Sequence, residues 1–287
     1  MVFAGHTTED MSRQGQETDV SLIIPCYNEA RRLPGTLTTV LAYFAQRDYR
    51  WELLIADDGS SDATPEIAGE AAAHTGVRHL RLPHRGKAAA VRAGVEAARG
   101  QIIIFTDADL STPIEYVAQA RRRLLSDSDL VIGSREGEGA RRVDEPFYRH
   151  FMGRLFNYLV QGLLVRGMRD TQCGFKGFRC EVARDLFGRS RLYRNMGEVH
   201  GPLVTGFDVE LLFLARKFGY RLHQLPVTWH HVEGSKVRPG LDSLLMLRDI
   251  LHVRINDLRG LYDAQPERDF SRDPRTGAPA EDAEIKV

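Results

Sequence analysis

From residue 20 to residue 135 the chain alternates short apolar runs with helical patterns, and this alternation narrows its fold more than any other feature. The apolar runs cover 20–25, 51–56, 78–82, 102–106 and 130–133, each shorter than an ordinary helix and rich in Ile, Leu and Val. Patterns of helical period fill the intervals at 30–46, 64–74, 87–98 and 114–125. Strands separated by helices form a mainly parallel sheet, because parallel neighbours need a long crossover and the helix supplies it. The expected class is therefore α/β, with helices on both faces of the sheet.

The second half is less regular. A long amphipathic stretch covers 146–165, followed by a turn region containing Gly and Cys, helices near 181–187 and 207–218, a strand over 221–229 and a last helix over 241–258. No internal linker interrupts the pattern, so one domain is expected over 19–262, with 19–135 and 136–262 as its two halves. Residues 1–18 and 263–287 are polar, lack an apolar period and read as flexible ends.

Composition removes several function classes. Lys plus Arg number 39 and Asp plus Glu 39, so the net charge is zero and a nucleic-acid partner is not expected. Any anion site must be local. Cys26, Cys173 and Cys180 are odd in number and too scattered for a zinc ligand set or a disulfide framework, which fits a reducing compartment. No apolar run reaches membrane-spanning length and no signal-peptide core opens the chain, so the expectation is a protein that is soluble or rests on a membrane without crossing it.

The ends of the predicted strands carry the chemistry. The fourth ends in Thr106-Asp107-Ala108-Asp109, two carboxylates one residue apart at the sheet edge where open α/β folds bind ligands. Acids there call for a cation, of which Mg²⁺ or Mn²⁺ carrying a phosphate is the simplest. The alternative is a helix cap, although Ser111 and Thr112 are better placed to start the next helix. The first strand ends in Pro25-Cys26-Tyr27-Asn28-Glu29 and the second in Asp57-Asp58-Gly59-Ser60-Ser61-Asp62, where Ser60 and Asp62 also fit as caps. The loop His84-Arg85-Gly86-Lys87 opens a helix with two cations, either a phosphate site or a solvated basic turn.

Taken together, these motifs resemble the family 2 glycosyltransferases of the GT-A fold, which use a nucleotide-diphosphate sugar as donor. The downstream stretches Arg169-Asp170-Thr171-Gln172-Cys173-Gly174-Phe175-Lys176-Gly177-Phe178, Phe207-Asp208-Val209-Glu210 and Pro226-Val227-Thr228-Trp229, followed by Gly234-Ser235-Lys236, are similar to the dolichyl-phosphate and polyprenyl-phosphate β-glucosyltransferases. The resemblance covers residues 19–258. It implies that Pro25, Tyr27, Glu29 and Asp57 hold the nucleoside with Asp58 close by, and that Lys87 and Asp107 sit near the pyrophosphate. It implies Asp109 as main metal ligand with Asp107 assisting; Ser111 stands where mannosyltransferase relatives carry a metal-touching Gln. Arg135 and Arg149 match positions that hold an acceptor phosphate, and Lys236 lies in a loop that is either a lid over the donor phosphates or a surface turn. Asp208 is a site candidate, as base or as positioning residue. The front half, 19–135, is then donor-binding and the back half acceptor-binding.

Implied by the same resemblance is an inverting transfer of glucose from UDP-glucose to a polyprenyl or dolichyl phosphate, with the protein peripheral on the cytoplasmic face of a membrane. The apolar residues of 147–164 recur every three to four positions among Arg149 and Arg154, an arrangement open to two readings, a core helix or a membrane-surface face. Two rival functions stand beside this: transfer of mannose or another hexose to a lipid phosphate or glycan hydroxyl, and a non-catalytic nucleotide-sugar-binding module.

Overall fold

The computed structural model describes residues 18–144, 160, 162, 164–165, 167–194, 196–199, 201, 206–232 and 241–263. Arg149, Lys236 and most of the 147–164 stretch lie outside the described residues; at its end Val160 and Val165 are buried.

The alternating first half folds as its pattern requires. Strands β1 (Val20–Cys26), β2 (Trp51–Asp57), β3 (Val77–Arg81), β4 (Ile102–Phe105) and β5 (Leu130–Ser134) are separated by helices α1 (Leu33–Phe44), α2 (Thr64–Ala71), α3 (Lys87–Ala97) and α4 (Tyr116–Ser126). The fourth helix starts at Tyr116, later than the pattern predicts, because Ser111 and Thr112 are buried in the turn that precedes it.

The back half supplies β6 (Arg141–Val143), β7 (Lys176–Arg179), α5 (Cys180–Arg189), α6 (Phe207–Lys217), β8 (Leu222–Pro226), β9 (Thr228–His230) and α7 (Leu241–Leu258). The seven-stranded sheet runs β3-β2-β1-β4-β7-β5-β8. All its pairings are parallel except those of β7, which lies antiparallel between β4 and β5, with Ile104 opposite Gly177 and Val131 opposite Gly177 on the other side. The single strand expected over 221–229 is two: after Val227, β9 leaves the main sheet and pairs with β6.

Strand side chains alternate between two cores, which is why the runs read as continuously apolar. Leu22, Ile24, Leu53 and Ile55 pack under α1, α2 and α4, while Ile23, Leu54 and Phe105 pack under α3, α5 and α6 with Ile250 and Val253 of α7. Burial of about 25 cal/mol per Å² of apolar surface on both faces makes the central strands the stable frame. Chain direction reverses its lateral walk between β1 and β4, and ligands of open α/β sheets bind at such a switch point. Among the described residues no helix is long and apolar enough to cross a membrane.

Candidate active site

The loops after β1 and β2 are stitched together by short polar side chains. Asn28 adopts a left-handed backbone (φ 52), and its Oδ1 accepts from Ser61 N at 2.8 Å and from Asp62 N at 3.3 Å. Ser60 Oγ in turn accepts from Asn28 N at 2.9 Å. Asp62 is not the cap of α2, a place that falls to Ala63, but ties the loop just before it: its Oδ1 accepts from Thr64 N at 2.9 Å, and its Oδ2 from Ala30 N at 3.1 Å. Burial works against the Asp62 carboxylate, but these donors prevail and lower its pKa. Glu29 accepts from Arg32 Nη1 at 2.9 Å, and Pro25, next to last in β1, is partly exposed.

Asp57 and Asp58 have different tasks. Asp58 organises the next loop: its Oδ1 accepts from Arg85 N at 2.9 Å, and its Oδ2 lies 2.8 Å from both Gly86 N and His84 Nδ1. That places the Tyr27 ring face to face with His84, centroids 3.8 Å apart. Gly59 permits the approach, since at φ +69° a Cβ there would stand 2.7 Å from His84 N. Asp57 is fully buried; one oxygen accepts from Ser60 N at 3.0 Å, whereas Oδ2 has no hydrogen bond and lies 3.6 Å from His79 Nε2.

Asp107 and Asp109 follow β4, and Lys87 from the first turn of α3 reaches across to them. Lys87 Nζ donates to Asp107 Oδ1 at 2.5 Å, with both side chains about one-third exposed. Burial alone would lower the Lys87 ammonium, but Asp107, Asp208 and Asp109 outweigh it and hold its pKa well above the usual lysine value. Burial would likewise raise Asp107; Lys87, then Lys176 and Arg135, bring it below the ordinary carboxylate value. Asp109 is raised, by burial and then by the charge of Asp107, although Ser111 N donates to its Oδ1 at 2.9 Å. The backbone of Gly174 closes the cradle: a Cβ there would stand 1.9 Å from Asp107 Oδ2.

These acids fit a divalent cation of a particular kind. Among the described residues no third Asp, Glu, His or Cys joins them in a metal-binding group. Hard carboxylate oxygens in small number suit Mg²⁺ or Mn²⁺, which keep water or phosphate oxygens for their remaining positions. Burial first, and then the charge of Asp107, oppose ionisation of Asp109, and a cation held between the two carboxylates would offset both.

Behind this cluster lie two pairs that the sequence pattern does not announce. Lys176 on β7 is fully buried; its Nζ lies 2.6 Å from Cys173 O and 2.7 Å from Asp208 Oδ1. Arg135, at the end of β5, grips Asp170 through Nε at 2.6 Å and Nη2 at 2.9 Å, with its own backbone N–H at 3.0 Å. Burial would raise the Asp170 carboxyl, but the guanidinium holds it well below the usual range. Arg135 also lies over the Trp229 ring, 5.4 Å from its centroid. Glu210, by contrast, is structural: fully buried, it accepts from Arg191 N, Leu192 N and Tyr262 Oη.

The structure thus gathers Lys87, Asp107, Asp109, Lys176 and Asp208 at one end of β4, places Tyr27, Asp57 and Asp58 at the neighbouring strand ends, and sets Arg135 in the Asp170 pair. His84, Asp170 and Lys176 belong to this site without having been assigned a role from the sequence, and Lys176-Gly177-Phe178-Arg179 carries no local pattern that marks Lys176.

Comparisons with known proteins agree with this geometry. The profile described as "Glycosyl transferase family 2" matches residues 21–187. The dolichyl-phosphate beta-glucosyltransferase of Drosophila melanogaster is 34% identical over 85% of this chain and 77% of its own length, and the human protein of the same name 32% identical over 87% and 79%. Among solved structures, glucosyl-3-phosphoglycerate synthase from Mycobacterium tuberculosis in complex with Mn²⁺, UDP and glucosyl-3-phosphoglycerate aligns with a TM-score of 0.57 at 19% identity, covering 88% of this chain and 86% of that one. Mannosyl-3-phosphoglycerate synthase from Rubrobacter xylanophilus aligns at 0.59 and 15%, covering 88% and 77%. With a profile match over more than half its length and relatives above 30% identity along most of theirs, the chain belongs to glycosyl transferase family 2 and is a glycosyltransferase of the GT-A fold.

Proposed function

We propose that the protein transfers glucose from UDP-glucose to a polyprenyl phosphate of the dolichyl type, with inversion, at a membrane surface. The observation that carries the reading is the convergence of Lys87, Asp107 and Asp109 at the sheet switch point, beside an acceptor side built on Arg135. Relatives named for glucosyl transfer to dolichyl phosphate support the choice of sugar and acceptor.

In this reading Asp57 Oδ2, which has no hydrogen bond and only His79 Nε2 nearby at 3.6 Å, accepts an N–H of the nucleobase, since a buried carboxylate oxygen left without a hydrogen-bond donor is costly and a bound base relieves it. The stacked Tyr27–His84 pair offers the base one aromatic face, with Pro25 and Glu29 at the rim. Asp107 and Asp109 would hold Mg²⁺ or Mn²⁺, which supplies charge neutralisation at the diphosphate. Lys87 aims a second positive charge at the same leaving group, stabilisation placed where charge develops. An oxygen of the acceptor phosphate forms the new bond to the anomeric carbon as the bond to UDP breaks, its electron pair leaving with the diphosphate.

A phosphate monoester is largely dianionic near neutral pH, its second pKa being about 6, so no protein base is needed. Asp208 agrees with that: one of its oxygens is committed to the buried Lys176 ammonium, which suits a positioning residue. Arg135, held in plane by Asp170, is the acceptor-phosphate residue, with Arg149 and Lys236 proposed beside it. The reading places the protein peripherally on the cytoplasmic face of a membrane, where its three free cysteines stay reduced.

The test is incubation with UDP-[¹⁴C]glucose, Mg²⁺ and a polyprenyl phosphate, followed by solvent partition. Label in the organic phase is expected. Label only in a water-soluble product would reject the lipid acceptor, and activity only with another sugar nucleotide would reject the glucosyl assignment.

A further inference from the structure

The exposed face of α7 combines two features that rarely share a surface. Arg248, Leu251, His252, Ile255 and Leu258 fall at helical spacings of three and four, so they form one stripe, which Arg259 continues just past the helix end, and all six are exposed. Leu258 is 76% exposed, Leu251 49% and Ile255 42%, three of the five exposed large apolar residues among the described residues. The opposite face is ordinary core, with Ile250 and Val253 buried. The stripe also borders a cavity of about 550 Å³ between α7 and the segment after α5, to which Arg191, Arg248, His252 and Arg259 all contribute.

The carboxylates nearby offset only part of this charge. Asp249 is buried, accepts from Tyr193 Oη and from Gly206 N at 2.9 Å, and meets Arg248 Nη2 at 3.5 Å. Asp257 and Asp263 are bridged by Lys217 at 2.6 and 2.8 Å, and Asp257 also meets Arg254 at 3.1 Å. Among the described residues neither Arg259 nor His252 has an ion-pair partner. An apolar stripe would suit a protein partner, but apolar residues interleaved with arginines over a basic cavity match a bilayer interface, with acyl chains against the leucines and anionic headgroups against the guanidiniums.

We propose that α7, with Arg191, is a docking surface for an anionic phospholipid bilayer, the cavity receiving one lipid headgroup. The same helix reaches the acceptor side: Met246 Sδ lies 3.3 Å from Gln172 Nε2, and Gln172 N donates to the Asp170 that holds Arg135. Docking through α7 therefore sets Arg135 close to the lipid surface. The idea extends the lipid-phosphate reading of the active site, but its test does not use that activity.

The full-length protein is sedimented with phosphatidylcholine vesicles and with phosphatidylcholine–phosphatidylglycerol vesicles. Binding to the anionic vesicles, weakened by salt, is expected, with little to the neutral ones. Each basic residue at such a surface is worth about a fivefold change in partitioning, so Arg248→Glu/Arg259→Glu should bind at least about thirtyfold more weakly. Leu251→Ser/Leu258→Ser should lose about tenfold or more at unchanged charge. UDP binding by calorimetry, unchanged in both variants, shows that they are folded. Wild-type levels of vesicle binding in either variant, or no preference for anionic vesicles, would overturn the proposal. Loss of vesicle binding with transfer to detergent-dispersed polyprenyl phosphate intact supports it, whereas a wild-type protein that transfers glucose but binds no vesicle refutes the surface and leaves the transferase reading standing.

Discussion

The donor and acceptor sides of this site are built on different principles. On the donor side, Tyr27, Asp57 and Asp107 stand within two residues of the ends of parallel strands β1, β2 and β4, and each is placed by the register of its own strand. On the acceptor side, Arg135 and Asp208 are placed by partners from distant segments, Asp170 and Lys176, the latter on the one antiparallel strand of the main sheet. In the proposed reading a regular βα frame delivers the groups that hold a diphosphate. Buried ion pairs would adapt that frame to an acceptor, and altering one pair should leave the other side working.

The largest effect is expected on the donor side. Asp109→Asn should lower turnover about 10³-fold or more with the fold intact, measured by transfer assay and thermal unfolding, because in the proposed reading it removes the main cation-binding charge. If turnover fell less than about tenfold, Asp109 would not be the principal ligand. Gly174→Ala comes next, at about 10²-fold: its Cβ would stand 1.9 Å from Asp107 Oδ2 and must push that carboxylate off Lys87. Raised cation requirement in the same assay is the accompanying sign, and a wild-type profile would show that the cradle has slack.

Lys176→Met tests the join between the two sides. It leaves Asp208 without its buried countercharge and should destabilise by about 3 kcal/mol in urea unfolding. Lys176→Met/Asp208→Asn should recover much of that loss; failure to recover would mean that Lys176 matters for packing and for Cys173 O, not for the pair.

Asp170→Asn should raise the acceptor KM about tenfold while donor affinity stays unchanged, since it frees Arg135 from its bidentate hold. Its stability signature follows from the sign of the shift. The Asp170 carboxyl is depressed in the folded protein, so its contribution is present above the ordinary Asp value of about 3.9 and is lost as pH falls through the depressed value. The stability gap between wild type and Asp170→Asn should stay constant from neutral pH down to about pH 4 and close only below that. A gap already closing near pH 6 would contradict the pairing. The smallest effect is expected from Asp208→Asn, a few-fold loss of turnover with both limbs of the pH–rate profile retained; loss of the acidic limb would restore Asp208 as the base and count against a phosphate acceptor.

Legibility in the sequence followed the same division. The five strands of the first half and the acids at their ends could be read because local period and turn residues determine them. The short β7 could not: Lys176-Gly177-Phe178-Arg179 shows no strand alternation, and its place between β4 and β5 comes from pairing on both edges rather than from its own composition. The Arg135–Asp170 and Lys176–Asp208 pairs join residues 35 and 32 positions apart, a separation that no local pattern encodes. The break at Val227, where β8 yields to β9, escaped notice for a related reason, since the partner β6 lies in a segment of three residues with no strand signature. Asp58 was placed near the nucleoside by resemblance; its actual work, holding the backbone of Arg85 and Gly86, became visible only with coordinates.

The separation of donor and acceptor sides can be tested most directly by titrating UDP, with Mn²⁺ present, into wild type, Asp109→Asn and Asp170→Asn in a calorimeter. The account predicts tight, cation-dependent binding to the wild type, an unchanged isotherm for Asp170→Asn and loss of the cation-dependent component for Asp109→Asn. Equal weakening in both variants, or UDP binding that ignores the cation in the wild type, would contradict it.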